Sequence, residues 1–113
     1  MKTSDVLREA KKVLETKGWT QGAFARDADG KELDSARGDN AVCFCALGAV
    51  YRIFPDLTHS AVQSLTEAVP KDFRDSGQHA RVADYNDDPE TTKEVVLSWF
   101  DRAIEKAKTV EAR

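Results

Sequence analysis

Cys43 and Cys45 are the first residues that could do chemistry, since a thiolate is both a nucleophile and a soft metal ligand. A metal reading needs both sulfurs to converge on one ion, with His59 or His79 completing the set. Their i, i+2 spacing works against this. It places the side chains about 200° apart on a helix and on opposite faces of a strand. No metal and no cofactor is therefore expected. A nucleophile reading fares better. Cys43 falls near the N-terminal end of the helix expected over 42–54, where the dipole lowers a thiol's pKa. His79 would be its base, with Asn86 or Asp84 to orient the imidazole. That inventory defines the enzyme alternative, a cysteine-dependent hydrolase or transferase using Cys43 with His79. Against it stands the plainer reading that both cysteines are small buried apolar groups, and the overall leaning is away from catalysis.

Three other constellations have simpler explanations. Asp27-Ala28-Asp29-Gly30 suggests a calcium loop, but with Gly30 at loop position six the first and last ligand positions fall on Ala25 and Ala36. An Asp-Gly hairpin turn accounts for it instead. Asp84, Asp87, Asp88, Glu90 and Glu94 form an acidic cluster that could act in acid–base work or hold a divalent cation weakly. Acids also gather wherever a helix begins, and a helix begins here. Trp19, next to Thr20 and Gln21, is either a ligand or partner anchor or a lid on the core. Phosphate-binding glycine loops, Gly-x-Ser-x-Gly elbows and His-Glu-x-x-His pairs are all missing from the chain.

The elements that must position these residues can be read from periodicity. Val6, Leu7, Ala10, Val13 and Leu14 make one helical stripe. Ser4 is its expected N-cap, and Lys17-Gly18 its C-terminal cation and C′ glycine. A two-stranded hairpin is expected near 24–34. Val42 to Phe54 carries a single charge, Arg52, and predicts a central helix that is apolar all round and therefore surrounded. Gly48 in its middle predicts close approach by another backbone, and Pro55 ends it. Thr58 is expected to cap a helix ending before Pro70. Residues 71–77 read as a turn and 78–86 as a short helix. The last helix carries Val96, Trp99, Phe100, Ala103, Ile104 and Ala107. Its start falls either at Asp88-Pro89 or at the capping box Thr91-Thr92-Lys93-Glu94. The fold expected is mainly α, four to five helices around the 42–54 helix, in a single domain over 1–113.

Composition narrows the partners. The 113 residues carry a net charge of −3, which gives no basic footprint for nucleic acid. No apolar run approaches the roughly 18 residues that cross a bilayer. Met1-Lys2-Thr3-Ser4-Asp5 leads straight into a polar helical pattern without a signal-peptide core. The expectation is a cytoplasmic protein that contacts another protein rather than nucleic acid or membrane.

Three blocks then carry a resemblance: Trp19-Thr20-Gln21-Gly22-Ala23-Phe24-Ala25-Arg26-Asp27-Ala28-Asp29-Gly30, Cys43-Phe44-Cys45-Ala46-Leu47-Gly48-Ala49 and Val82-Ala83-Asp84-Tyr85-Asn86-Asp87. In this order the chain resembles a family of small uncharacterised bacterial and bacteriophage proteins, a domain of unknown function, over roughly Val6 to Ile104. Tyr85 stands where that family has Trp. The resemblance brings no activity, cofactor or catalytic residue. It implies a cytoplasmic accessory protein, often carried by phages or mobile elements, with an inhibitor of a host protein as one version. It also picks out Trp19, Gln21, Arg26, Asp27, Cys45, Asn86 and Asp87 as pattern positions. A surface made by Trp19, Gln21, Arg26, Asp27, Asn86 and Asp87 is the binding site expected from them.

Overall fold

Helix α1 (Thr3–Thr16) buries Val6, Leu7, Ala10 and Leu14, four members of the expected stripe. The computed structural model describes residues 1–77 and 81–112. The helix begins two residues earlier than a Ser4 cap would place it, with Lys2 at the N-cap. Ser4 is instead buried within the first turn, donating its N–H and hydroxyl to the Glu111 carboxylate at 3.0 and 2.6 Å. That partner lies at the far end of the chain, so no local pattern could show it. The two bonds hold the Glu111 carboxyl below the usual carboxylate range.

The last helix, written α6 (Lys93–Glu111), lies antiparallel on α1. Ser4 meets Glu111 at one end and Lys11 pairs with Asp101 at 2.8 Å further along. All six residues of its expected stripe are buried. Its start falls one residue past the capping-box alternative: Thr92 is the N-cap, its hydroxyl accepting from the Val95 N–H at 3.3 Å, while the Thr91 hydroxyl donates to Tyr85 O at 2.8 Å, so the Thr91–Glu94 box does not form. Asp88 instead closes its own small turn, accepting from the Glu90 N–H at 2.9 Å.

Between these helices the chain builds a three-stranded antiparallel sheet. Its strands are β1 (Ala25–Arg26), β2 (Glu32–Leu33) and β3 (Cys43–Phe44), in the order β2-β1-β3. The hairpin expected near 24–34 is β1–β2, with Ala25 opposite Leu33. Its turn is closed by Asp27, whose Oδ1 accepts from the N–H groups of Asp29 and Lys31 at 3.0 and 2.9 Å. Gly30 takes a φ of +83° there, a left-handed conformation that disfavours a side chain.

The helix expected over 42–54 is shorter and divided. Cys43 and Phe44 belong to β3, and helix α2 runs from Ala46 to Ile53. An apolar run alone does not distinguish a buried strand from a buried helix, and long-range pairing decides this one. The Phe44 N–H donates to Gly18 O at 3.1 Å and its carbonyl accepts from the Thr20 N–H at 2.9 Å, while Val42 donates to Arg26 O at 2.9 Å. The Phe44 ring is fully buried, with the Arg52 guanidinium 5.1 Å above it. That guanidinium also donates to the carbonyls of Ala36 and Gly38 at 2.8 and 3.2 Å.

Three short helices complete the chain: α3 (Ser60–Glu67), α4 (Lys71–Asp75) and α5 (Val82–Asn86). With them the count is six helices among the described residues, above the four to five expected, because 71–75 is a helical turn and not a plain one. His59, not Thr58, caps α3: its Nδ1 accepts from the Ala61 N–H at 3.0 Å, while Thr58 bonds Asp56. Helix α1 packs on α6, α2 and α3, and α3 packs on α6. The Trp99 indole joins α6 to α3 by donating to Leu65 O at 2.8 Å.

Helix α2 is not surrounded. Ala46, Gly48, Ala49 and Val50 are buried, but Leu47, Tyr51 and Ile53 are only partly covered. The close backbone approach expected at Gly48 is there, and it comes from Phe24. A Cβ at position 48 would lie 1.9 Å from the Phe24 carbonyl oxygen. Gly48→Ala is therefore expected to lower stability by about 3 kcal/mol, the upper part of the range for forced overpacking, measured by urea denaturation. A change below about 0.5 kcal/mol would mean the contact between β1 and α2 is looser than described.

Candidate functional site

Where the three sequence blocks meet, a single buried amide holds them together. Asn86, at the end of α5, is 1% exposed. Its Oδ1 accepts from the Trp19 indole N–H at 2.8 Å and from the Ala46 N–H at 3.0 Å. Its Nδ2 donates to Thr20 O at 3.2 Å and to Asp87 Oδ1 at 2.9 Å. Both acceptor positions and both donors are thus in use. The Ala46 N–H is one of the unpaired donors at the start of α2, so the amide also caps that helix from outside.

The other pattern residues extend the same network. Gln21 Nε2 donates to the carbonyls of Asn86 and Asp88 at 3.0 and 2.9 Å. Asp87 Oδ1 accepts a second bond from the Gly22 N–H at 2.9 Å. Arg26 bridges the segment before its strand and the turn after it, with Nε donating to Thr20 Oγ1 at 3.0 Å, Nη2 to Gln21 O at 3.0 Å and Nη1 to Gly30 O at 3.2 Å. The structure therefore brings Trp19, Gln21, Arg26, Asn86 and Asp87 together through bonds internal to the protein. Asp27 stands apart from them, closing the hairpin turn. Within the acidic cluster of 84–94, Asp87 and Asp88 take part in such bonds, and Asp84 pairs with Arg81 at 3.6 Å. Among the described residues no three His, Cys, Asp or Glu side chains converge as a metal site would require.

The two cysteines change places relative to expectation. Cys43 lies on β3, so it has no helix terminus to activate it, and His79 lies outside the described residues. Cys45 holds the N-cap of α2, its Sγ accepting from the Gly48 N–H at 3.3 Å. Burial nevertheless pushes the Cys45 thiol up from its ordinary value, outweighing the backbone N–H groups that favour the thiolate.

Above this network lies a face that the residue pattern did not single out. Phe24 follows the Gln21-Gly22-Ala23 bend and remains 40% exposed. Its carbonyl is pinned to α2, accepting from the Cys45 N–H at 3.2 Å while pressed against Gly48. Leu47 and Tyr51, one turn apart on α2, flank that contact. A cavity of about 250 Å³ opens between Phe24, Ala36, Tyr51 and Leu57, and a second of about 220 Å³ between Phe24, Ala23, Leu47 and Ala83. Leu57 is itself 41% exposed. The available signal was the scarcity of charge on α2, where Arg52 is the single charged residue: a short helix this apolar must either be enclosed or present one side to something else.

The whole arrangement falls within one family. Residues 1–106 match the model of a family of unknown function, DUF6197, and the chain belongs to that family. No curated protein and no solved structure matches it. Among the described residues no helix is long and apolar enough to cross a membrane.

The direction of the Cys45 shift sets its reactivity. A raised value leaves the neutral thiol dominant at pH values where a free cysteine is already substantially ionised. In native protein Cys45 should therefore alkylate with iodoacetamide far more slowly than free cysteine from pH 6 to about 8.5, and match it once the protein is denatured. Site-resolved mass spectrometry checks this. Fast native labelling of Cys45 below pH 7 would contradict it.

Proposed function

We propose that this chain is a small protein-binding module whose contact face is centred on Phe24. The observation that supports the reading most strongly is the combination of an exposed aromatic ring with a fixed backbone. The side chain stands in solvent between two cavities, while its carbonyl is locked against Gly48 and Cys45. Recognition sites concentrate their energy in a few aromatic anchors. An anchor already held in place loses little conformational entropy on binding. In this reading the pattern residues have two roles. Trp19, Gln21, Arg26 and Asn86 hold the 19–26 segment in position from below. Asp87, which lines the second cavity, reaches the face itself.

The test is affinity capture from the native host with three baits: wild type, Phe24→Ser and Arg8→Ala. Arg8 is exposed on α1, remote in sequence from the face, and serves as the control. Phe24→Ser should retain a cooperative thermal transition and weaken capture by at least about thirtyfold, the loss expected of one hot-spot residue. Arg8→Ala should capture the same partner as wild type. An unchanged captured set with folded Phe24→Ser would show that this face is not the contact.

A further inference from the structure

We infer that the Phe24 face takes a polypeptide segment in which a large apolar side chain is flanked by Lys or Arg. This deepens the binding-module reading and rests on it. The two cavities on either side of Phe24 are smaller than the roughly 300–1,000 Å³ typical of small-molecule sites. Each has the size and lining to take an apolar side chain and not a cofactor-sized ligand. Their walls differ from their floors in charge. Asp34 edges the first cavity, and Glu32 and Asp87 edge the second. Among the described residues, every charged residue lining either cavity is thus a carboxylate.

Asp56, next to Leu57, accepts from the Thr58 hydroxyl and N–H at 2.6 and 2.9 Å, which hold its carboxyl below the usual range and keep it ionised. Two guanidinium groups on the adjoining elements β1 and α2 are committed elsewhere. Arg26 is spent on Thr20, Gln21 and Gly30, and Arg52 on Ala36, Gly38 and the Phe44 ring. Lys31, Arg37 and Arg81 lie within two residues of lining positions and, like Asp56, line neither cavity, so the linings themselves set the sign. An apolar floor with an acidic rim is complementary to an apolar anchor with basic flanks. A second copy of the same face would bring carboxylate against carboxylate. Nucleic acid and anionic bilayers carry the same sign as the rim.

The experiment uses a displayed library of random peptides of about twelve residues, long enough to cross both cavities in extended form. Selection is against the intact protein, with counter-selection on Phe24→Ser. The enriched peptides should place Lys or Arg beside Leu, Phe or Trp. Their binding should fall at least about tenfold in the Glu32→Gln, Asp34→Asn double variant, and by a similar factor between about 50 and about 500 mM NaCl. Peptides that depend on Phe24 but are neutral or acidic, and indifferent to Glu32 and Asp34, would overturn the charge assignment while leaving the binding face intact. A pool with no dependence on Phe24 would overturn both. A homodimer abolished by Phe24→Ser would identify a second copy as the occupant and also overturn it.

Discussion

Everything presented on the outer surface near α2 depends on the saturation of one buried amide. Asn86 bonds to Trp19 and Thr20 before the sheet, to Ala46 at the start of α2 and to Asp87 after α5. These partners come from three separated stretches of chain. A polar group buried this completely is favourable only when all its bonds are made, since an orphaned donor or acceptor costs about 1–3 kcal/mol. Four satisfied positions make the joint specific: an apolar residue there would leave the Trp19 indole and the Ala46 N–H without partners.

From that joint the geometry propagates outward in two short steps. The 19–22 segment is tied to α5, so the following bend delivers Phe24 onto α2. Gly48 then admits its carbonyl at a distance no other residue would allow. The side chain is left outside because the backbone is held inside. The same contact explains why α2 tolerates a glycine at its centre and why its Leu47–Tyr51 side stays uncovered. A larger residue at 48 would push β1 away and close neither cavity in the same way.

Much of this scaffold is legible in the sequence where interactions are local. The stripes of α1 and α6, the Asp-Gly hairpin and the Gly48 approach all follow from periodicity and from glycine's lack of a Cβ. What was not legible depends on partners far away in the chain. Ser4 looks like a cap until Glu111 is seen to accept from it. Val42-Cys43-Phe44 looks helical until Gly18, Thr20 and Arg26 are placed beside it. The pattern residues Trp19, Gln21, Asn86 and Asp87 were found, but residue type alone cannot tell a polar side chain aimed at a ligand from one aimed at another loop. Phe24 carried the opposite ambiguity: an aromatic residue in a hairpin is ordinarily core, and here its backbone takes the interior position.

The most direct measurement of the Asn86 joint is the urea stability of Asn86→Asp against wild type, followed from pH 7 down to about pH 3.5. The substitution is nearly isosteric. It keeps the acceptor for Trp19 and Ala46 but removes both donors, setting a buried carboxylate against Thr20 O and the Asp87 carboxylate. A deficit of about 3–5 kcal/mol is expected at pH 7. The introduced group's pKa is raised in the folded state, so the deficit should shrink as the pH falls and the neutral acid regains a donor. A variant within about 0.5 kcal/mol of wild type across that range would contradict the account.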